Sequence, residues 1–196
     1  SVALRIGEAI RIVGFEDQSR SDAKTTLSAL ESLGLRSAII SGDDPAAVAG
    51  VAAELGIEGS GAMKPAEKLA MLDDLKRAGH RPLMVGDGLN DGPALAAAHA
   101  SIAPGTASDA SRQAADAVFI GENLMPIALA IRVARRTMAV VRQNFGFAIG
   151  YNILAVPLAI SGLVTPLIAA VAMSLSSLVV VGNSLRLAGA AKVPQA

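Results

Sequence analysis

Hydrophobic positions along this chain change rhythm once, near residue 120. Before that point short apolar runs alternate with stretches whose apolar side chains recur at helical spacing. The runs at 3–6, 10–14, 37–40, 83–85, 101–103 and 116–120 predict strands. Between them, Thr26, Leu27, Leu30 and Leu33 form a stripe that predicts a helix to Leu33, with Asp22 as its N-cap and Gly34 ending it. Further helices are expected at 45–55, from Pro65 to about Ala78, at 93–99, and up to Ala115 after a turn at Pro104-Gly105, the last capped by Ser108 or Asp109. Strands alternating with helices predict an α/β fold with a parallel sheet covered by helices on both faces.

Beyond residue 120 the strand rhythm stops. Leu124, Ile127, Ile131, Ala134, Met138 and Val141 recur every three to four residues while Arg132, Arg135, Arg136 and Arg142 fall elsewhere, which predicts an amphipathic helix. A surface-lying or calmodulin-target helix would share that pattern. No charged residue then occurs from Gln143 through Leu185. The stretches 144–162 and 166–185 each approach the roughly 20 apolar residues that cross a bilayer, and the tight connection at 162–166 makes them a hairpin. Arginines precede the first span, and Arg186 and Lys192 follow the second, so positive-inside reasoning puts both ends in the cytoplasm.

Composition agrees with a lipid-embedded part: 52% of the residues are hydrophobic and the mean hydropathy is +0.49. Acidic and basic residues balance at 17 each, which gives no argument for a nucleic-acid partner. There are no cysteines, so neither disulfides nor thiolate metal sites arise within the chain. Ser1 stands where an initiator Met would, and the chain reads as a piece of a longer protein.

The candidate chemistry lies where the 83–85 strand ends. Gly86 and Gly88 let the backbone turn sharply at the strand's carboxyl end, where open α/β sheets bind ligands. Asp87 and Asp91 offer hard oxygens to Mg²⁺, and Asn90 offers an amide to a phosphoryl oxygen. A type I turn rich in Asp, Asn and Gly, without chemistry, is the competing reading. His99 reads as a helix-end residue, since no His or Cys lies at metal-ligand spacing.

The run Gly86-Asp87-Gly88-Leu89-Asn90-Asp91-Gly92-Pro93-Ala94-Leu95 resembles the hinge signature of P-type ATPases, ion pumps whose phosphorylation domain has the haloacid-dehalogenase fold. The resemblance spans nearly the whole chain. The run Phe15-Glu16-Asp17-Gln18-Ser19-Arg20-Ser21-Asp22 resembles the family's stretch in which an acidic and an Arg residue precede a helix. Ser41-Gly42-Asp43 resembles its Thr-Gly-Asp, which implies that Ser41 donates its hydroxyl and backbone N–H to the phosphoryl group; Ser41 also suits an N-cap or Ser-turn before the helix at Pro45. Lys68 holds the lysine of the family's Pro-x-x-Lys, which neutralises the phosphoaspartate; on its own it would read as a solvated charge, as Lys64, Arg77 and Arg81 do. The resemblance thus implies catalytic roles for Ser41, Lys68, Asp87, Asn90 and Asp91, cofactor-binding roles for Gly42, Asp43, Gly86 and Gly88, and Mg²⁺ and ATP as cofactors, with Mg²⁺ held partly by Asp87 and the Asp91 side chain setting the loop.

The hairpin carries few polar residues. Tyr151-Asn152 lies in the first span, with Pro157 beyond; Pro157 cannot donate to the carbonyl of Ile153, which predicts a kink and a freed oxygen. Met173 and Ser177, four apart, share one face of the second. Interhelical contacts and Met as filler would explain these residues without a ligand. Tyr-Asn and Met-x-x-x-Ser nevertheless resemble the membrane metal-site signatures of copper-transporting heavy-metal ATPases, in which Tyr151, Asn152, Met173 and Ser177 would hold Cu(I). The zinc and cadmium class carries an acidic residue and a lysine there, and this hairpin has no charge. The segments at 101–109 and 112–116 resemble the bacterial branch that supplies copper to cytochrome oxidase assembly.

The resemblance implies the following division: 1–122 as the carboxyl-terminal part of a phosphorylation domain, 123–143 as a stalk helix, 144–187 as the transmembrane hairpin, and 188–196 as a cytoplasmic tail. It also implies the bacterial inner membrane, a metal cargo that a copper chaperone would deliver, and the pump's remaining domains as partners. The chain departs from the family in lacking the Asp-Lys-Thr-Gly-Thr segment with the phosphorylated aspartate, the nucleotide-binding and actuator domains, and the Cys-Pro-Cys helix. Cu(I) export is the expectation; a pump for zinc, cadmium or cobalt, a catalytically incomplete structural fragment, and a membrane-tethered phosphatase of the same superfamily are the alternatives.

Overall fold

The computed structural model describes residues 2–6, 9–13, 19–87 and 89–189. The chain divides into two compact units, Ser1–Met125 and Pro126–Ala196. Gly88, Glu16, Asp17 and Lys192 lie outside the described residues.

The first unit opens with an antiparallel hairpin of β1 (Val2–Ile6) and β2 (Ala9–Val13). The α/β alternation follows: α1 (Ala23–Ser32), β3 (Ala38–Ile40), α2 (Pro45–Leu55), β4 (Glu58–Ser60), α3 (Pro65–Arg77), β5 (Leu83–Val85), a 3₁₀ turn at Leu89–Asp91, α4 (Gly92–Ala97), β6 (Ala100–Pro104), α5 (Asp109–Ala114) and β7 (Ala117–Phe119). Local chemistry accounts for several helix starts. Asp44 caps α2 by accepting the N–H groups of Ala46 and Ala47 at 2.9 and 3.3 Å, so Ser41 is not the cap; Ser108 caps α5. The Lys64 N–H donates to the Glu67 carboxylate at 2.7 Å at the mouth of α3.

The sheet is parallel, as the alternation predicts, but it comes in two pieces: β3 pairs with β4, and β5 with β6 with β7. Strand β4 was not expected. Glu58-Gly59-Ser60 is exposed and has no apolar side chain to reveal it. Gly59 sits there because a Cβ would lie 2.6 Å from the Cβ of Ala52 on α2. Beside the three-stranded piece, Leu72 of α3, Met84 of β5 and Ala94 and Leu95 of α4 form a buried core, against which Ile40, Ala98 and Ala114 pack. One polar clasp fastens the β6–β7 edge: the Asp116 carboxylate accepts the N–H and hydroxyl of Ser101 at 2.9 and 3.1 Å, and the Asp116 N–H donates back to the Ser101 hydroxyl at 3.0 Å.

Helices α6 (Met125–Ile160) and α7 (Pro166–Leu185) make up most of the second unit. The arginine-bearing stretch and the first apolar span are one unbroken helix that passes through Pro157. Both helices are long and apolar enough to cross a membrane, and their large apolar side chains are mostly exposed. The Thr165 hydroxyl caps α7 by accepting the Ile168 N–H. At one end the helices are joined by amides: Asn144 donates to the Ser184 hydroxyl at 3.1 Å, and Asn183 donates to the Asn144 and Gln143 side-chain oxygens at 2.9 and 3.2 Å.

Candidate functional site

Lys68 lies in the first turn of α3, and the helix carries its side chain inward beside Leu72, so that the residue is only 6% exposed. A buried ammonium needs a partner. The partner is Asp91, whose Oδ1 accepts from Lys68 Nζ at 2.7 Å, 23 residues further along the chain. Asp91 ends the 3₁₀ turn after β5, where its side chain lies against Gly86. A Cβ on Gly86 would come within 2.9 Å of the Asp91 Cβ and 3.1 Å of its Oδ2, so only glycine allows this approach. Asp91, read from the sequence as one of two cation ligands, thus has its carboxylate turned to an ammonium.

Asp87 is different. It follows β5 directly, is exposed, and fixes its backbone by accepting the Ser108 N–H at 3.3 Å. Among the described residues its carboxylate has no hydrogen-bond or ion-pair partner, and the exposed Asn90 side chain has none either. A free carboxylate three residues before a neutral amide suits a Mg²⁺ ion that takes one or two protein oxygens and completes its shell with water and phosphate. Among the described residues no three His, Cys, Asp or Glu side chains gather as a metal cluster, so this loop supplies part of such a shell.

Ser41 follows β3. Its N–H, expected from the resemblance to face a phosphoryl group, donates instead to the Ser60 carbonyl at 2.9 Å, extending the β3–β4 ladder. The Ser41 hydroxyl donates to the Asp43 carboxylate at 2.6 Å and accepts the Asp43 N–H at 3.2 Å, a closed Ser-turn around Gly42. The Ser41 carbonyl accepts the Met63 N–H at 2.9 Å, directly before α3. Contacts therefore run continuously from Ser41 through Met63 and the first turn of α3 to Lys68, Asp91, Gly86 and Asp87. The sequence-predicted residues on this path are five polar side chains on two loops and the first turn of α3, with the Ser41 and Asp43 pair at one end and Asp87 at the other.

In the second unit Tyr151 is half-buried and Met173 is 69% exposed. The Asn152 amide donates to the Ala148 carbonyl at 2.9 Å and the Ser177 hydroxyl to the Met173 carbonyl at 3.1 Å, each one turn back on its own helix. Among the described residues the Asn152 Oδ1 and the Ser177 hydroxyl oxygen accept no hydrogen bond. Among the described residues no hydrogen bond joins Tyr151 or Asn152 to α7, whereas Asn144, Asn183 and Ser184 do join the two helices. Sequence reading did not single out that trio, although three amide or hydroxyl side chains in apolar helices were a signal for it.

Residues 1–99 match the family described as haloacid dehalogenase-like hydrolase. The nitrogen fixation protein FixI of Rhizobium leguminosarum bv. viciae is 53% identical over 181 residues, covering 92% of this chain and 24% of that protein. A copper-exporting P-type ATPase of Mycobacterium leprae is 40% identical over 182 residues, covering 92% of this chain and 23% of that protein. The chain thus spans about a quarter of the length of the curated relatives it matches. Among solved structures, a zinc-transporting PIB-type ATPase superposes with a TM-score of 0.81 at 35% identity, covering 88% of this chain and 28% of that one. With a haloacid-dehalogenase-like first unit, the chain belongs to the haloacid dehalogenase-like hydrolases, and together with its two helices of bilayer-spanning length it is similar to about a quarter of the length of these P-type ATPases.

Proposed function

We propose that this chain is part of a Cu(I)-exporting pump, contributing half of the phosphorylation site and two of the membrane helices. The observation that carries the catalytic half is the buried Lys68–Asp91 pair, with Asp91 on the same loop after β5 as the exposed Asp87. The Lys68 ammonium, held in place by Asp91, keeps two further N–H donors that suit the oxygens of a transferring phosphoryl group. Asn90 and the Ser41 hydroxyl add neutral donors, the latter after turning away from Asp43. The nucleophilic aspartate comes from elsewhere in the pump. Among the described residues β3 and β5 each leave one edge without a strand, and Ile40 of β3 packs on the core under β5, so one strand bearing that aspartate fits between them. Mg²⁺, with Asp87 as one ligand, would screen the phosphate charges. ATP is the phosphoryl donor in this reading.

The hairpin supports copper as the cargo in this reading. With no charged residue from Gln143 through Leu185, it offers a divalent ion no carboxylate, while the Met173 thioether is a soft donor that suits Cu(I). Tyr151, Asn152 and Ser177 would complete the shell with thiolates from another helix. The protein would sit in a bacterial inner membrane with the phosphorylation domain in the cytoplasm, receiving copper from a chaperone. The names of the relatives point to copper and to zinc, and the absent charge favours copper.

Phosphoenzyme formation from ATP in the complete pump, with Cu(I) or Zn(II) supplied in turn, tests this. Cu(I) is expected to stimulate it, and Met173→Ala to weaken Cu(I) transport while back-phosphorylation by inorganic phosphate stays intact. Stimulation by Zn(II) alone would overturn the cargo, and equal loss of both activities in Met173→Ala would make that residue structural.

A further inference from the structure

Asp22 occupies the N-cap position of α1 yet makes no side-chain bond to that helix's N–H groups. Its Oδ2 instead accepts the N–H of Leu124 at 2.6 Å and of Met125 at 3.0 Å, 102 and 103 residues away. Those two amides stand at the mouth of α6, where the backbone donors have no partner within their own helix, and Pro126 has no N–H to offer. Two residues earlier, the Arg20 guanidinium donates to the Glu122 carbonyl. One turn before α1 thus holds the segment 122–125 from both sides, a cation on its carbonyl and an anion on its amides. The buried Thr26 hydroxyl lies 3.4 Å from the same Oδ2 and steadies it, while Oδ1 is buried without a partner among the described residues. An unsolvated carboxylate oxygen is unfavourable on its own, and the two backbone N–H groups bound at Oδ2 offset it.

We infer that Asp22, assisted by Arg20, is a positioning residue that fixes the backbone leading into α6 to the phosphorylation domain. Rearrangement at the phosphoryl site then moves the head of α6 rather than flexing the segment before it. This inference rests on the pump reading. Neither residue touches phosphate or metal, so their loss leaves the chemistry and weakens its coupling to transport. An asparagine at position 22 keeps an oxygen that accepts both amides; an alanine keeps none.

The test uses the complete pump in proteoliposomes, reading phosphoenzyme formed from ATP, Cu(I) moved per ATP split, and amide exchange at Leu124 and Met125. Asp22→Ala is expected to speed exchange at the two amides and to lower Cu(I) moved per ATP about tenfold, the scale of one lost cap. Its phosphoenzyme level stays within about twofold of the unmodified pump, the scale of a surface change. Asp22→Asn restores the coupling, and Asp22→Ser, too short to reach both amides, falls between and serves if the alanine variant does not fold. Parallel loss of phosphoenzyme and transport, or full coupling in Asp22→Ala and Asp22→Ser, overturns the inference. An unmodified pump that forms no phosphoenzyme would overturn the functional reading and this inference together, whereas full coupling with normal phosphoenzyme overturns only the inference.

Discussion

Lys68 Nζ stands 2.7 Å from Asp91 Oδ1 in a pocket where the two side chains are only 8% and 14% exposed. Two opposite charges buried together hold each other, and removal of either strands the other out of water. Asp91→Ala should therefore cost about 3–5 kcal/mol of stability, the range for a buried charge left alone. Lys68→Met with Asp91→Leu should recover most of that stability but none of the phosphorylation. Thermal unfolding of the detergent-solubilised chain checks the first part and phosphoenzyme formation in the complete pump the second. Asp91→Ala unfolding at the parent temperature would mean that the pair contributes nothing to the fold.

Gly86 tests the same geometry from the other side. A methyl group there meets the Asp91 side chain at 2.9 Å, so Gly86→Ala has to push the ion pair aside, at a cost of about 1–3 kcal/mol. Gly50, exposed within α2, meets nothing within 4 Å, and Gly50→Ala should stabilise by about 0.5–1 kcal/mol. The opposite signs of the two changes, read by thermal unfolding, are the expected result. Equal effects would show that the contact at Gly86 relaxes freely.

Asp87→Ala separates function from folding. Because the Asp87 carboxylate makes no bond among the described residues, its removal should leave stability within about 0.5 kcal/mol. It should also abolish phosphoenzyme turnover in the complete pump. Unchanged metal-stimulated ATP hydrolysis would remove Asp87 from the catalytic site.

Much of this chain could be read along its length because the signals are local. Glycines and aspartates mark the loop after β5, the proline after Lys64 opens α3, and forty-odd residues without a charge mark the hairpin. The same reading expected Asp22 to cap its own helix, as its immediate neighbours suggested, and the family resemblance implied that Ser41 offers its amide to a ligand. Tertiary structure decided otherwise: Asp22 serves a helix start 102 residues away and the Ser41 amide completes a ladder with the unforeseen strand β4, while the Lys68 partner through which Asp91 sets its loop lies 23 residues away. Periodicity reports which face of an element is apolar; which donor meets which acceptor depends on how strands and helices from distant parts of the chain are brought together, and that is settled only when the core closes.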